Sequence, residues 1–185
     1  MKRLFNKNEI LTIPNLLSVF RLVLLPLIVW LYSVEHNYMA AIAVLVLSGL
    51  TDIADGFIAR KFNMISDLGK ILDPIADKVT QGILLICLGI EHKIIFLLVG
   101  VFALKEFLML FLGYIIMKRK DSVNGAKWYG KLNTVIIYST IVLMLLIPDL
   151  PESAISIMAV VCIAMIVVSF VMYARFYQGI LNSKQ

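Results

Sequence analysis

"LTDIADGFIARKFNMISDLGKILDPIADK", residues 50–78, carries five aspartates between two long apolar runs. The chain around it has 185 residues, 61% hydrophobic and 16% charged, with a mean hydropathy of +0.95. Soluble domains run nearer 45–50% apolar and about 25% charged, so composition places this chain in a membrane. Carboxylates that enter lipid need a reason. One acid at mid-bilayer costs about 2.5–3.5 kcal/mol on insertion scales.

A membrane-crossing helix needs about 20 mostly apolar residues. Six segments qualify: 14–33, 38–58, 68–90, 93–117, 131–147 and 153–173. The expectation is an all-α polytopic membrane protein with six transmembrane helices, forming one domain over residues 1–185. Residues 1–13 precede the first span, and 174–185 form a tail. The start, MKRLFNKNEI, is polar and is followed by no small-residue cleavage site, so it does not read as a signal peptide. Leu4, Phe5 and Ile10 among basic residues fit a short interfacial helix, and a frayed basic tail fits them equally.

Orientation follows the lysines and arginines. Lys2, Arg3 and Lys7 lead the chain, Arg60, Lys61 and Lys70 surround the second loop, Lys118, Arg119, Lys120 and Lys127 fill the fourth, and Arg175 and Lys184 lie in the tail. The remaining loops hold Lys93 alone. Six spans with both termini in the cytoplasm satisfy every loop. The net charge of +5 is then topology plus attraction to anionic lipid. No basic residues interleave with aromatics in a soluble domain, which excludes nucleic acid as a partner. Cys87 and Cys162 lie inside apolar runs and read as small core side chains. His36 and His92, each after a glutamate in an outer loop, read as solvated interface residues.

On a helix, Asp52, Asp55, Gly56 and Ala59 share one face, at i, i+3, i+4 and i+7. On the next, Gly69, Asp73 and Asp77 step by four, with Pro74 expected to bend the helix. A short loop makes the two helices antiparallel and brings both acidic faces to one depth, on the cytoplasmic side. Asp67, after Ser66, is accounted for as a helix-start residue. The other four are too costly to be explained by pairing with Arg60, Lys61, Lys70 and Lys78. They form an all-oxygen ligand set without His or Cys, which selects Mg²⁺, Mn²⁺ or Ca²⁺ over zinc or copper. Four carboxylates on two facing helices can hold two such ions about 3.5–4 Å apart, the arrangement that serves phosphoryl chemistry. Mg²⁺ usually shares its shell with substrate phosphates, which in a membrane points to a phosphate-bearing lipid.

The pattern Asp52-x2-Asp55-Gly56-x2-Ala59-Arg60-x8-Gly69-x3-Asp73-x3-Asp77 resembles, at all eight fixed positions, the signature of the CDP-alcohol phosphatidyltransferases. A chance match is on the order of 10⁻¹⁰ per starting point. "IPNLLSVFR" at the first span and "DPIADK" within the third extend the resemblance along the chain. It implies transfer of a phosphatidyl group from a CDP-linked lipid, CDP-diacylglycerol, to an alcohol, with release of CMP. It also implies two Mg²⁺ or Mn²⁺ ions on Asp52, Asp55, Asp73 and Asp77, Asp77 as the general base, and a homodimer. Gly56, Ala59, Arg60 and Gly69 would border the cytidine diphosphate, with Asn15 and Arg21 of the first span reaching the nucleotide or pyrophosphate. The alternative for Arg21 is snorkelling to headgroups.

The acceptor is read from Lys105, Arg119 and Lys131, a cationic set suited to the phosphate of glycerol-3-phosphate. Lys105 and Glu106 are adjacent, and adjacent helical residues point apart, which argues against a self-satisfied pair. "GKLNT", residues 130–134, resembles the GKxKT of phosphatidylglycerophosphate synthases but places Asn133 where they have lysine. That form is closer to the cardiolipin synthases of the same family, whose acceptor is phosphatidylglycerol. Glycerol-3-phosphate leads and phosphatidylglycerol is the alternative. A divalent-cation transporter is a distant third, because ion paths favour midplane acids and internal repeats.

Overall fold

The computed structural model describes residues 12–62, 67–119 and 128–182. The N-terminal segment and the connections 63–66 and 120–127, with their expected interfacial helix and basic loops, lie outside those residues. Among the described residues six helices follow one another: α1 (Ile13–Ser33), α2 (Tyr38–Lys61), α3 (Asp67–Glu91), α4 (Ile95–Arg119), α5 (Trp128–Leu146) and α6 (Glu152–Asn182). Among the described residues there is no strand.

Local chemistry sets the helix ends. The Thr12 hydroxyl accepts the Asn15 amide at 3.4 Å, and Pro14 sits in the first turn of α1, where its missing N–H costs nothing. The Asn37 side chain accepts the Ala40 amide at 3.1 Å and opens α2. His36, just before it, takes φ 50°, which lets a short link reverse the chain. Pro26 and Pro74 lie inside α1 and α3, and both helices run through them. Pro148 and Pro151 bracket the turn into α6, where the Ala154 amide bonds the Pro151 carbonyl at 2.9 Å.

Five of the six helices, all but α3, are long and apolar enough to cross a membrane. α3 has 25 residues, ample length at about 1.5 Å each. What sets it apart is its charge, since it carries Asp67, Lys70, Asp73, Asp77, Lys78 and Glu91. The distribution of side chains is that of a protein in lipid. Val23, Met39, Ile53, Phe107 and Leu110 are exposed, whereas Arg21, Asp55, Gln81, Lys105 and Asn133 are buried.

The chain divides into two compact units, residues 1–87 and 88–185. In the first, α1 packs against α2, with Leu25, Ile28 and Tyr32 of α1 and Ala41 and Leu45 of α2 buried. In the second, α6 packs against both α4 and α5. The α5–α6 seam is antiparallel: Thr140 meets the Cys162 sulfur at 3.2 Å, and Gly130 lies against Tyr173. Tyr129, Tyr173 and Tyr177 form a buried aromatic cluster with Met109 and Leu112 of α4 against it. That cluster carries α6 past residue 173, so much of the segment expected as a tail is helix. Both cysteines are buried thiols outside any disulfide, as small core side chains should be. His92 is not simply solvated, because its Nδ1 lies 2.9 Å from Glu152 at the start of α6.

Candidate active site

Three helices of the first unit build the acidic site. Asp52 and Asp55 come from successive turns of α2, Asp73 and Asp77 from successive turns of α3, and Ser18 and Arg21 from successive turns of α1. Arg21 reaches Asp52 while Ser18 reaches Asp55, so steps up α1 run down α2 and the two helices are antiparallel. Ser18 reaches Asp73 and Arg21 reaches Asp77, so α1 and α3 advance together. The spacings of three and four in all three segments are what bring these side chains level.

Arg21 is the hub. It is only 2% exposed, and one terminal nitrogen contacts both Asp52 and Asp55, the latter at 2.9 Å, while the other contacts Asp77. Its fork of donors suits this role as a point charge would not. The fourth acid, Asp73, is held through Ser18. That hydroxyl has the Pro14 carbonyl at 3.1 Å, Asp55 at 3.5 Å and Asp73 closest of all. With a single proton to donate, it serves one of them at a time. The site grades from closed to open: the Asp55 side chain is 4% exposed, that of Asp77 34% and that of Asp52 43%.

The sequence-based expectation that the four aspartates converge therefore matches the geometry, with a difference in what they converge on. The Lys61 ammonium lies over the Phe57 and Phe62 rings, 5.4 and 5.9 Å from their centres. Snorkelling of Arg21 is overturned, because its guanidinium sits among the acids. Among the described residues no three acidic, thiol or imidazole groups cluster tightly enough to grip one ion as the side chains stand, since the carboxylates surround the guanidinium instead. The donor set nonetheless fits a hard divalent cation. Its ligands are all carboxylates, three of them already meet at one positive centre with the fourth beside it on Ser18, and Arg21 balances only one of four negative charges.

Around this core, Asn15 is buried on α1 a turn before Ser18. Gly56 and Ala59 follow the α2 acids, and Gly69 precedes those of α3. Arg60 and Arg119 belong to α2 and α4, and their side chains lie outside the described residues. Sequence reasoning passed over Gln81, one turn beyond Asp77 on the same face. It is fully buried, and neither amide atom finds a partner among the described residues. Its i+4 spacing from Asp77 was the available signal.

In the second unit, Lys105 is buried and its ammonium lies 2.7 Å from Glu106, so the neighbouring pair expected to point apart does close. Both side chains are long enough to fold back over the helix surface. Lys131 is exposed on the first turns of α5, and Asn133 is buried with neither amide atom partnered among the described residues.

A helical membrane protein with an acid cluster at one end of three helices is equipped to handle a cation and, through it, a phosphate. The family model described as CDP-alcohol phosphatidyltransferase matches residues 11–174. The chain belongs to the CDP-alcohol phosphatidyltransferase family, whose enzymes generally use divalent metal ions. It is 36% identical over 133 residues to the CDP-diacylglycerol–glycerol-3-phosphate 3-phosphatidyltransferase of Aquifex aeolicus, covering 69% of this chain and 71% of that one. It is 41% identical over 91 residues to a putative cardiolipin synthase of Mycobacterium tuberculosis, covering 49% and 44%. The CMP-forming cardiolipin synthase of Rattus norvegicus is 51% identical over 78 residues, covering 42% and 26%. The matches thus span less than half the length of the latter two relatives.

Proposed function

We propose that this chain transfers the phosphatidyl group of CDP-diacylglycerol to glycerol-3-phosphate, giving phosphatidylglycerophosphate and CMP. The observation that carries the reading is the gathering of four carboxylates from two helices at one place, Asp52, Asp55 and Asp77 on the Arg21 guanidinium and Asp73 on the neighbouring Ser18 hydroxyl, in a chain of this family. The longest alignment named above, to the Aquifex phosphatidyltransferase, supports the choice of acceptor.

In the reaction, the acceptor hydroxyl oxygen attacks the phosphorus of the phosphatidyl group. The bond from that phosphorus to the CMP oxygen breaks, and its electron pair leaves with CMP. The hydroxyl proton passes to the Asp77 carboxylate, which lies on the more open side of the site. Mg²⁺ or Mn²⁺, as a pair of ions held by Asp52, Asp55, Asp73 and Asp77, would supply positive charge to the pyrophosphate oxygens. Asn15, Arg21 and Arg60 orient the CDP moiety, and Gly56, Ala59 and Gly69 leave room for its close approach. Lys105, Arg119 and Lys131 take the acceptor's phosphate. The basic residues of the sequence support a cytoplasmic side of the cell membrane for both termini and the reaction, and the family resemblance supports a homodimer.

A second reading, phosphatidylglycerol as acceptor and cardiolipin as product, is favoured by Asn133. A neutral buried amide stands within GKLNT where a lysine would give a second charge for a terminal phosphate. Parallel assays decide. Purified protein with CDP-diacylglycerol and Mg²⁺ is expected to release CMP with glycerol-3-phosphate and to stay near background with phosphatidylglycerol. The reverse pattern replaces the first reading by the second, and CMP with neither alcohol overturns both.

A further inference from the structure

We infer that Arg21 is a built-in competitor for the divalent cation: its guanidinium takes the place among the carboxylates that an ion would fill, and it must leave that place for an ion to enter. This rests on the reading that the four aspartates are the ion-binding side chains.

Three observations carry it. The contacts of Arg21 are with carboxylates on both of the other helices, Asp52 and Asp55 on α2 and Asp77 on α3, so the guanidinium stands at the point that three of the four carboxylates share. The residue is 2% exposed, and its Nε is buried without a partner, so the side chain is committed to the acids by its two terminal nitrogens alone. No tight acidic ligand group exists among the described residues while those contacts stand. One positive charge cannot balance four negative ones in a medium of low dielectric constant, so the arrangement favours replacement by a cation of higher charge. A buried guanidinium pushed off its carboxylates needs another anion, and its planar fork of donors matches a phosphate as well as a carboxylate. The incoming CDP-linked lipid carries that anion. Ion and donor lipid then strengthen each other's binding, because the donor supplies the partner that the ion takes from Arg21.

Manganese binding to the purified protein, followed by electron paramagnetic resonance without acceptor alcohol, tests this apart from turnover. Arg21→Gln removes the occupant and its charge, whereas Arg21→Lys keeps the charge but cannot bridge three carboxylates. Both variants are expected to bind Mn²⁺ about tenfold more tightly than the native chain in the absence of donor. Tightening in Arg21→Gln alone would mean that only distant charge matters, and weaker or unchanged binding in both would make Arg21 a supporter of the ion or a bystander. Any of these overturns the proposal while leaving the ion-binding site standing. Failure of every form to bind Mn²⁺, with or without CDP-diacylglycerol, removes the site itself and the proposal with it. The native chain gives a check that needs no variant: modification of Arg21 by phenylglyoxal, mapped by mass spectrometry, should rise on adding Mn²⁺ and fall again on adding CDP-diacylglycerol. Reactivity indifferent to Mn²⁺ overturns the proposal.

Discussion

Asp77 and Asp55 show how much position changes what a carboxylate does. Both contact Arg21, but the Asp55 side chain is 4% exposed and that of Asp77 34%. A buried acid is suited to fixing charge, and an accessible one to exchanging a proton with a substrate. Asp77→Asn keeps the shape of the side chain and removes its capacity to take a proton. It is expected to lower kcat for CMP release by about 10²–10⁴-fold while the protein stays folded in detergent, checked by turnover and thermal unfolding on the same preparation. The acidic residues were legible in sequence because spacings of three and four place them on shared helical faces. The contact of Arg21 with them was not. Its spacing from Asn15 and Ser18 marks a face of α1, but only the pairing of α1 with α2 and α3 shows that this face meets the acids.

Among the elements, the α5–α6 seam sets the tightest tolerance. A Cβ built at Gly130 would stand 2.5 Å from the Tyr173 hydroxyl and 3.2 Å from its ring. Tyr173 is in turn fixed by Tyr129 and Tyr177, at centroid distances of 4.5 and 5.9 Å, so the ring has little freedom to retreat. Gly130→Ala is expected to cost about 1–3 kcal/mol, the usual penalty for overpacking, read as a lowered unfolding midpoint. Adding Tyr173→Phe removes the atom in closest conflict, so the double variant should lose less stability than the two single changes added together. The helix count and most boundaries were readable from hydropathy. The length of α6 was not, because residues 174–182 continue the helix on aromatic contacts that a hydropathy window does not register. His92 likewise gave no sign in sequence of its partner sixty residues on. Lys105 and Glu106 show that a rule about where Cβ atoms point does not bind side chains long enough to turn back.

Taken whole, the molecule reverses the layout of a soluble protein, with large apolar side chains outward and polar ones inside. Composition alone foretold that reversal. The same reversal explains why α3 differs from its neighbours: it gives up apolar character to carry half of the acid cluster, and its Asp73 and Asp77 are tolerated where Ser18 and Arg21 of α1 supply partners. The central claim is that these carboxylates, once they hold a divalent ion, activate a CDP-linked lipid. The most direct measurement is CMP release from CDP-diacylglycerol with acceptor present, by the native chain and by Asp55→Asn, in EDTA and after Mn²⁺ is restored. No CMP is expected from either protein in EDTA, with full recovery on Mn²⁺ only in the native chain. Undiminished CMP release in EDTA, or native-like release by Asp55→Asn, would contradict it.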